Sequence, residues 1–395
     1  MAQTAEAKVV KTFNNLFPAI CSLDNLYLAA RKARRLKSRK IYVEDFELHR
    51  ERSLGLLHNR LLEGGWRPSG YRQFTIHDPK KRLISAAPYS DRVVHHALCN
   101  VIEPLVERRF ISDSFSCQTG KGTTAARERC RVFTNRYAYV LKCDVEKFFQ
   151  SIDHEVLMSK LGGIIRCRAT LNLCRLIVES YRDKELLPRY FRGDDLFSPG
   201  TRLHGLPIGN LTSQLWANLY LDRMDHFVKE ILRVAGYCRY TDDWLIWSDD
   251  KAFLRHCLIA IEETLQTERL ALNKTKTRIM AVREGVPFLG FRFFPGRAPR
   301  VLGATKRRFE KRSRRQAKMM RGGLLDSQAV RKSMVGWVQF SRYGYVEGLM
   351  KRYRMENFGR AGYDGCAGFA GRVLEQQQSG ESALFVPQQQ RSVES

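Results

Sequence analysis

The sequence predicts an α+β protein, with one sheet backed by helices and a strongly basic segment after it. Three observations predict it. Between 138 and 293 the hydrophobic pattern runs strand, helix, loop, helix, strand, tight turn, strand, helix, strand, an order suited to a single sheet with helices on one face. After Pro295 the apolar runs give way to "KRRFEKRSRRQAKMMR" (306–321), with nine basic residues and one acidic. Finally, 44% apolar and 28% charged residues over 395 positions is the composition of a globular chain with a sizeable core, not of a disordered one.

Taken in order, residues 23–64 read as helical, with a basic run "RKARRLKSRK" at 31–40. Leu54, Leu57, Leu61 and Leu62 form an apolar stripe there, and Gly64-Gly65 stops the helix. "YRQFTIHDPKKRLISAAP" (71–88) alternates as a hairpin does, with "HDPKK" as its turn. "DRVVHHALCNVIEPLVERRF" (91–110) is a helix through Val94, Leu98, Val101 and Leu105, which Pro104 should kink or break. "YAYVLKCDVEKFFQSID" (137–153) opens as a buried strand and ends as a turn into helix, and 154–184 continues helical. The stretch 182–205 is an inserted loop or small hairpin. A helix from about 211 to 230 comes next, carrying Leu211, Leu215, Leu219 and Phe227. "YCRYTDDWLIWSDD" (237–250) is strand, tight turn and strand; 252–270 is an amphipathic helix; "PFLGFRFFP" (287–295) is a short strand. "VGWVQFSRYGYVEGL" interleaves aromatics with small residues, and the last forty residues, with "EQQQSGES", read as a weakly ordered tail.

The 68 Lys and Arg outnumber the 41 Asp and Glu, for a net charge of +27 and a pI near 9.9. Such an excess suits a polyanion: nucleic acid first, an anionic membrane surface second. No run of eighteen apolar residues is present to span a bilayer, and the polar start "MAQTAEAKVVKTFNN" is not a signal peptide, so the expected location is cytoplasmic, without membrane partners. The ten cysteines form no C-x2-C pair, which argues against a zinc ribbon or redox motif; reduced, mostly buried thiols are expected.

Two pairs of adjacent aspartates stand within ten positions, and like charges so close need a physical reason. Asp249-Asp250 follows a strand and directly precedes a helix, where carboxylates accept from free N–H groups and suit the helix dipole. Asp242-Asp243 lies between two strand-like runs, in a turn that lacks the Gly or Asn a plain two-residue hairpin favours. Asp144 ends another strand, in "VLKCDVEKFF". If those strands are neighbours, three carboxylates converge at one sheet edge and can hold two Mg²⁺ for in-line phosphoryl transfer.

Six segments in order extend this: "KKRLISAAPYSDRVVHHALCNVIEPLVERRF", "DVEKFFQSID", "GLPIGNLTSQLWANLYLDRMDHFV", "YTDD", "LNKTKT" and "FLGF". Together they resemble the motifs of bacterial reverse transcriptases over roughly residues 70 to 293. Ile208 and Gln214 in "LPIGNLTSQ" make the chain most similar to the reverse transcriptases of diversity-generating retroelements, where most of the family carry Gln and Pro.

The resemblance implies a right-hand polymerase of fingers, palm and thumb, with a ferredoxin-like palm sheet and a helical thumb. The implied limits are N-terminal helices and fingers over 1–136, palm over 137–295 with an insertion near 185–204, basic thumb over 296–355 and tail over 356–395. It implies that Asp144, Asp242 and Asp243 hold two Mg²⁺ (with Mn²⁺ as a substitute), together with the carbonyl of Val145. Phe149 takes the place of the steric gate that excludes a 2′-hydroxyl, core packing being the competing reading for it and for Phe148. Lys80 and Arg82 are expected on the triphosphate, against the alternative of a solvated basic turn, and Lys276 near the pyrophosphate as general acid. Ile208, Gly209 and Gln214 are expected at the nucleotide, with Ile208 loosening base-pair discrimination or, on the bland reading, only packing. Phe288, Leu289 and Gly290 form the implied primer grip; Lys306, Arg307, Arg308, Lys311, Arg312, Arg314 and Arg315 would track the nucleic-acid backbone. Implied partners are an RNA template, a DNA or RNA primer, dNTPs, a small basic accessory protein and a structured non-coding RNA. An antiphage-defence reverse transcriptase and an RNA-binding, maturase-like scaffold are the alternatives.

Overall fold

A computed structural model describes residues 12–77, 81–183 and 189–344. Lys80, part of the 185–204 insertion, the end of the expected thumb and the tail therefore lie outside the described residues. By its contacts the chain divides into two compact units, one ending at Val282 and one beginning at Arg283.

In the first unit, the helix Leu23–Arg34 starts where the Ser22 side chain accepts from the Asn25 amide, and it buries Leu26, Ala29, Ala30 and Ala33. This small-residue face lets it lie against the helix Tyr89–Glu107. Pro104 does not break that helix. It sits in the last turn, where only the Asn100 carbonyl loses its intrahelical donor, and the helix runs on to Glu107. The expected hairpin is present: β1 (Arg72–Ile76) pairs antiparallel with β2 (Arg82–Ala86).

The central sheet is built from β3 (Tyr139–Asp144), β4 (Gly236–Tyr240), β5 (Asp243–Ser248) and β6 (Arg278–Ala281). Their spatial order is β4-β5-β3-β6, every pair antiparallel, which is the ferredoxin-like arrangement. Its β5 buries Trp244, Leu245, Ile246 and Trp247 in succession, more than one covered face can accept. The reason is that helices cover both faces, not one as the pattern suggested. Trp247 meets Phe133 of the helix Thr123–Arg136 with ring centroids 5.3 Å apart, while Cys143, pointing the other way, lies beside Cys257 of the helix Lys251–Thr267.

Two expected helices are interrupted. The 154–184 stretch is His154–Gly162 and Arg168–Glu179, separated where Ile165 bridges to Phe13. The 211–230 stretch is Leu211–Tyr220, then Asp222–His226 and a π turn over Phe227–Ile231. Of the nine described cysteines, all free, only Cys117 is exposed.

In the second unit the 287–295 stretch is not one strand but part of a sheet: β7 (Val286–Phe288), β8 (Phe291–Phe294) and β9 (Arg297–Val301). Because β7 pairs with β8 and β8 with β9, this sheet belongs to the C-terminal unit, and the first unit ends ahead of the limit expected at 295. The helices Gly303–Arg321 and Ser327–Ser341 join through Phe309, stacked on Trp337 at 4.2 Å and 7°.

Candidate active site

The strand register decides where the aspartates stand. Asp144, last in β3, lies directly opposite Asp243, first in β5, and Tyr240 pairs with Asp243, so Thr241 and Asp242 alone make the β4–β5 turn. The three carboxylates thus share one edge of the sheet. Thr241 takes φ +57°, a left-handed conformation that costs a β-branched residue about 1–2 kcal/mol. Such strain persists only where the surroundings enforce it, and it concentrates at functional sites.

The electrostatics arise from the crowding. Burial pushes the Asp242 carboxyl up to about 6, with the charges of Asp144 and Asp243 adding to it. Asp243 is also raised by burial, against the opposing pull of Lys142. Lys142 Nζ donates to both Asp243 oxygens, at 2.7 and 2.9 Å, and Lys276 Nζ donates to Asp144 Oδ1 at 2.5 Å. Among the described residues no three His, Cys, Asp or Glu side chains are drawn together as a ready metal cage. Two lysines instead supply the positive charge that these carboxylates require.

The donor set nevertheless fits a hard divalent cation: three carboxylates at one edge, all oxygen, each opposed by the others' charge. Val145 is buried and bridges Leu272; the adjoining bonds use the Asp144 carbonyl and the Glu146 amide rather than the Val145 carbonyl. Lys276 is delivered by a turn in which Asn273 Oδ1 accepts from Thr275 and the Asn273 carbonyl from the Lys276 and Thr277 amides.

The other expected nucleotide contacts lie on three further segments: the short helix after Asp144, strand β2, and residues 208–214. Of the adjacent phenylalanines, Phe148 is buried in the core and Phe149 only partly, with ring centroids 5.6 Å apart; Phe149 is the one with a free face. Arg82 is exposed at the start of β2. Ile208 is partly exposed and is tied to the hairpin, its carbonyl accepting from the Ser85 amide at 3.2 Å. Gly209 has φ +125°, and a Cβ there would stand 3.2 Å from Ile84, so this close approach to β2 requires glycine. Gln214 is exposed on its helix and accepts a weak bond from the Cys117 thiol.

In the second unit, Phe288 is buried and Leu289-Gly290 form the β7–β8 turn, with φ +43° and +89°. Of the basic residues on Gly303–Arg321, Arg307, Arg308, Lys311, Arg314 and Arg315 are exposed, while Lys306 and Arg312 are partly covered; Phe309, Ser313 and Ala317 make the buried face.

The second aspartate pair does two jobs. Asp250 caps the helix Lys251–Thr267, accepting from the Ala252 amide, as expected. Asp249 does not cap it but accepts from the Ala138 amide, pinning the chain at the start of β3. Lys142 is the site residue that sequence reasoning missed. Its signal was present: it lies two positions before Asp144, hence on the same face of the strand.

Against this geometry, residues 76–293 match the family described as reverse transcriptase (RNA-dependent DNA polymerase), more than half of the chain. The chain belongs to the reverse transcriptase family. It is an RNA-directed DNA polymerase with the α+β right-hand polymerase fold. This reverse transcriptase is similar to protein YkfC of Escherichia coli (strain K12), 24% identical over 62% of the chain and 72% of that protein. It is also similar to nuclear intron maturase 1, mitochondrial, of Arabidopsis thaliana, 30% identical over 28% of the chain but only 16% of that protein. The solved telomerase of Candida albicans matches with a TM-score of 0.44 and 11% identity, over 80% of this chain and 65% of that one. Among the described residues of the reverse transcriptase, no helix is long and apolar enough to cross a membrane.

Proposed function

We propose that this reverse transcriptase extends a primer on an RNA template by nucleotidyl transfer at the Asp144–Asp242–Asp243 edge, where two Mg²⁺ would be held by the three carboxylates and the Val145 carbonyl. The observation that carries this is the register itself: Asp144 opposite Asp243, with Asp242 in a strained two-residue turn beside them. The ions would activate the primer 3′-hydroxyl and stabilise the leaving pyrophosphate. The chain's own residues do the rest. Phe149 excludes a 2′-hydroxyl by bulk, so dNTPs are selected. Arg82, with Lys80, holds the triphosphate. Lys276, which donates to Asp144, would move to the phosphates and give the leaving group a proton. In the second unit Phe288, Leu289 and Gly290 grip the primer, and the exposed face of Gly303–Arg321 tracks the backbone without reading sequence.

We further infer error-prone copying at template adenines, within a diversity-generating retroelement that supplies a small basic accessory protein and a structured RNA. Ile208 supports this reading. Held to β2 through its backbone, it presents only an apolar side chain, which packs against a base pair without hydrogen-bonding to it. The similarity to an intron maturase favours, as second reading, a chain whose main work is RNA binding; antiphage defence would use the same chemistry as the first.

Primer extension on an adenine-containing RNA with Mg²⁺, followed by sequencing of the products, tests the proposal. Misincorporation concentrated at template adenines, and reduced by Ile208→Gln, is the outcome expected. Faithful DNA synthesis would overturn the error-prone reading and leave the polymerase.

A further inference from the structure

A strained turn needs something to hold it, and the structure supplies two holds on Thr241. The first is Arg239 in β4, fully buried together with Asp225. Its Nε and one terminal nitrogen donate to both Asp225 oxygens at 2.7 and 2.5 Å, and the Tyr237 hydroxyl donates to the same carboxylate at 2.6 Å. The remaining nitrogen donates to the Thr241 carbonyl at 3.1 Å and to Asn218 Oδ1 at 3.3 Å. The second hold is Ser116, whose hydroxyl is 2.8 Å from that of Thr241. Asn218 joins the two, because its amide nitrogen donates to the Ser116 carbonyl at 2.6 Å while its oxygen faces Arg239.

Ser116 is itself fixed. Its loop runs beside β4, with the Arg239 amide donating to Asp113 and the Phe115 amide to the Arg239 carbonyl. The Lys121 amine closes the loop by donating to the carbonyls of Ile111, Ser112 and Ser114, at 3.0, 3.1 and 2.7 Å.

We propose that Arg239 and Ser116 are positioning residues that clamp the Thr241–Asp242 turn and so set the place of the Asp242 carboxylate. A buried ion pair is seldom retained for stability, since apolar residues of equal volume do as well. What a plain pair would not need is the arginine's planar fork, which grips Asp225 bidentately and still has an N–H for the turn. Lysine would keep the charge and lose the bond to Thr241. The inference rests on the reading of Asp242 as a metal ligand.

The test compares Arg239→Lys and Ser116→Ala in the full chain, with thermal melting as a check of folding. Steady-state extension and Mn²⁺ titration by calorimetry are the readouts. Arg239→Lys is expected to lower kcat about 100-fold and Ser116→Ala about tenfold, with dNTP KM within about threefold and Mn²⁺ bound more weakly in both. A residue that merely stabilises would lower activity only in step with the folded fraction. A double-mutant cycle removes the remaining ambiguity: Thr241→Gly relieves the strain and deletes the hydroxyl, so Ser116→Ala should cost nothing further in that background. Wild-type kcat and Mn²⁺ affinity in folded Ser116→Ala, or full additivity in the cycle, overturns the proposal even if Arg239→Lys does not fold. Activity retained in Asp242→Ala would instead overturn the metal-site reading, a separable result.

Discussion

Asp242 carries a cost that the metal-free protein cannot avoid. Its carboxyl is raised from 3.8 to about 6, chiefly by burial, so the folded protein holds that proton more tightly than the unfolded chain does. The group therefore favours folding at low pH, and this contribution is lost as pH rises from about 4 through about 6, where the folded form must bury the charge. With divalent metal removed, Asp242→Asn should be more stable than the parent by about 1–2 kcal/mol at pH 8, after allowance for solvent screening, and no more stable at pH 4. Calorimetric melting at the two pH values measures it; an equal difference at both would contradict the assignment of the shift to Asp242. At this scale the three aspartates could be singled out because the Asp242-Asp243 turn lacks the Gly or Asn of a plain hairpin and Asp144 ends another strand-like run. Lys142 was not, since a single lysine in an apolar run looks like ordinary strand patterning until the register sets it diagonal to Asp243. Asp249 was misjudged for the same reason, its partner Ala138 being distant in sequence.

Among the elements, the β7–β8 turn and the helix Gly303–Arg321 are the most open to test. A Cβ on Gly290 would stand 2.7 Å from the Phe340 ring, at a φ of +89° that other residues resist. Gly290→Ala should destabilise the second unit by about 2 kcal/mol, seen as a lower urea midpoint; an unchanged midpoint would refute the packing. Replacing Arg307, Arg308, Arg314 and Arg315 with Gln should flatten the salt dependence of template–primer binding by roughly 0.7–0.9 in log–log slope for each phosphate the helix ceases to neutralise. An unchanged slope would remove the helix from the nucleic-acid interface. The hairpin at 71–88 was legible through alternation, and the strands around the aspartates as short apolar and aromatic runs broken at the carboxylates. The helix Thr123–Arg136 was not, because its buried stripe of Ala126, Arg127, Cys130, Phe133 and Thr134 is small and partly polar. Its docking, which covers the second face of the sheet, is a tertiary fact. The break at Leu221 belongs to the same class, since apolar periodicity continues across it while the backbone does not.

At the scale of the whole molecule, the excess of positive charge was readable because it is a sum over many residues that tolerates local error. The ferredoxin-like order came instead from the resemblance of the ordered motifs, the hydrophobic pattern alone giving only a sheet backed by helices. The division at Val282 was less so, since short strands give the same pattern whichever sheet receives them. The central claim is that the Asp144, Asp242 and Asp243 edge makes DNA on RNA, and primer extension with Mg²⁺ and dNTPs on an RNA template, comparing Asp242→Ala with Asp249→Ala, tests it most directly. DNA product from the parent chain and from folded Asp249→Ala, reduced by about 10³-fold or more in folded Asp242→Ala, is the result expected. Undiminished extension by Asp242→Ala, with loss in a folded Asp249→Ala, would contradict it.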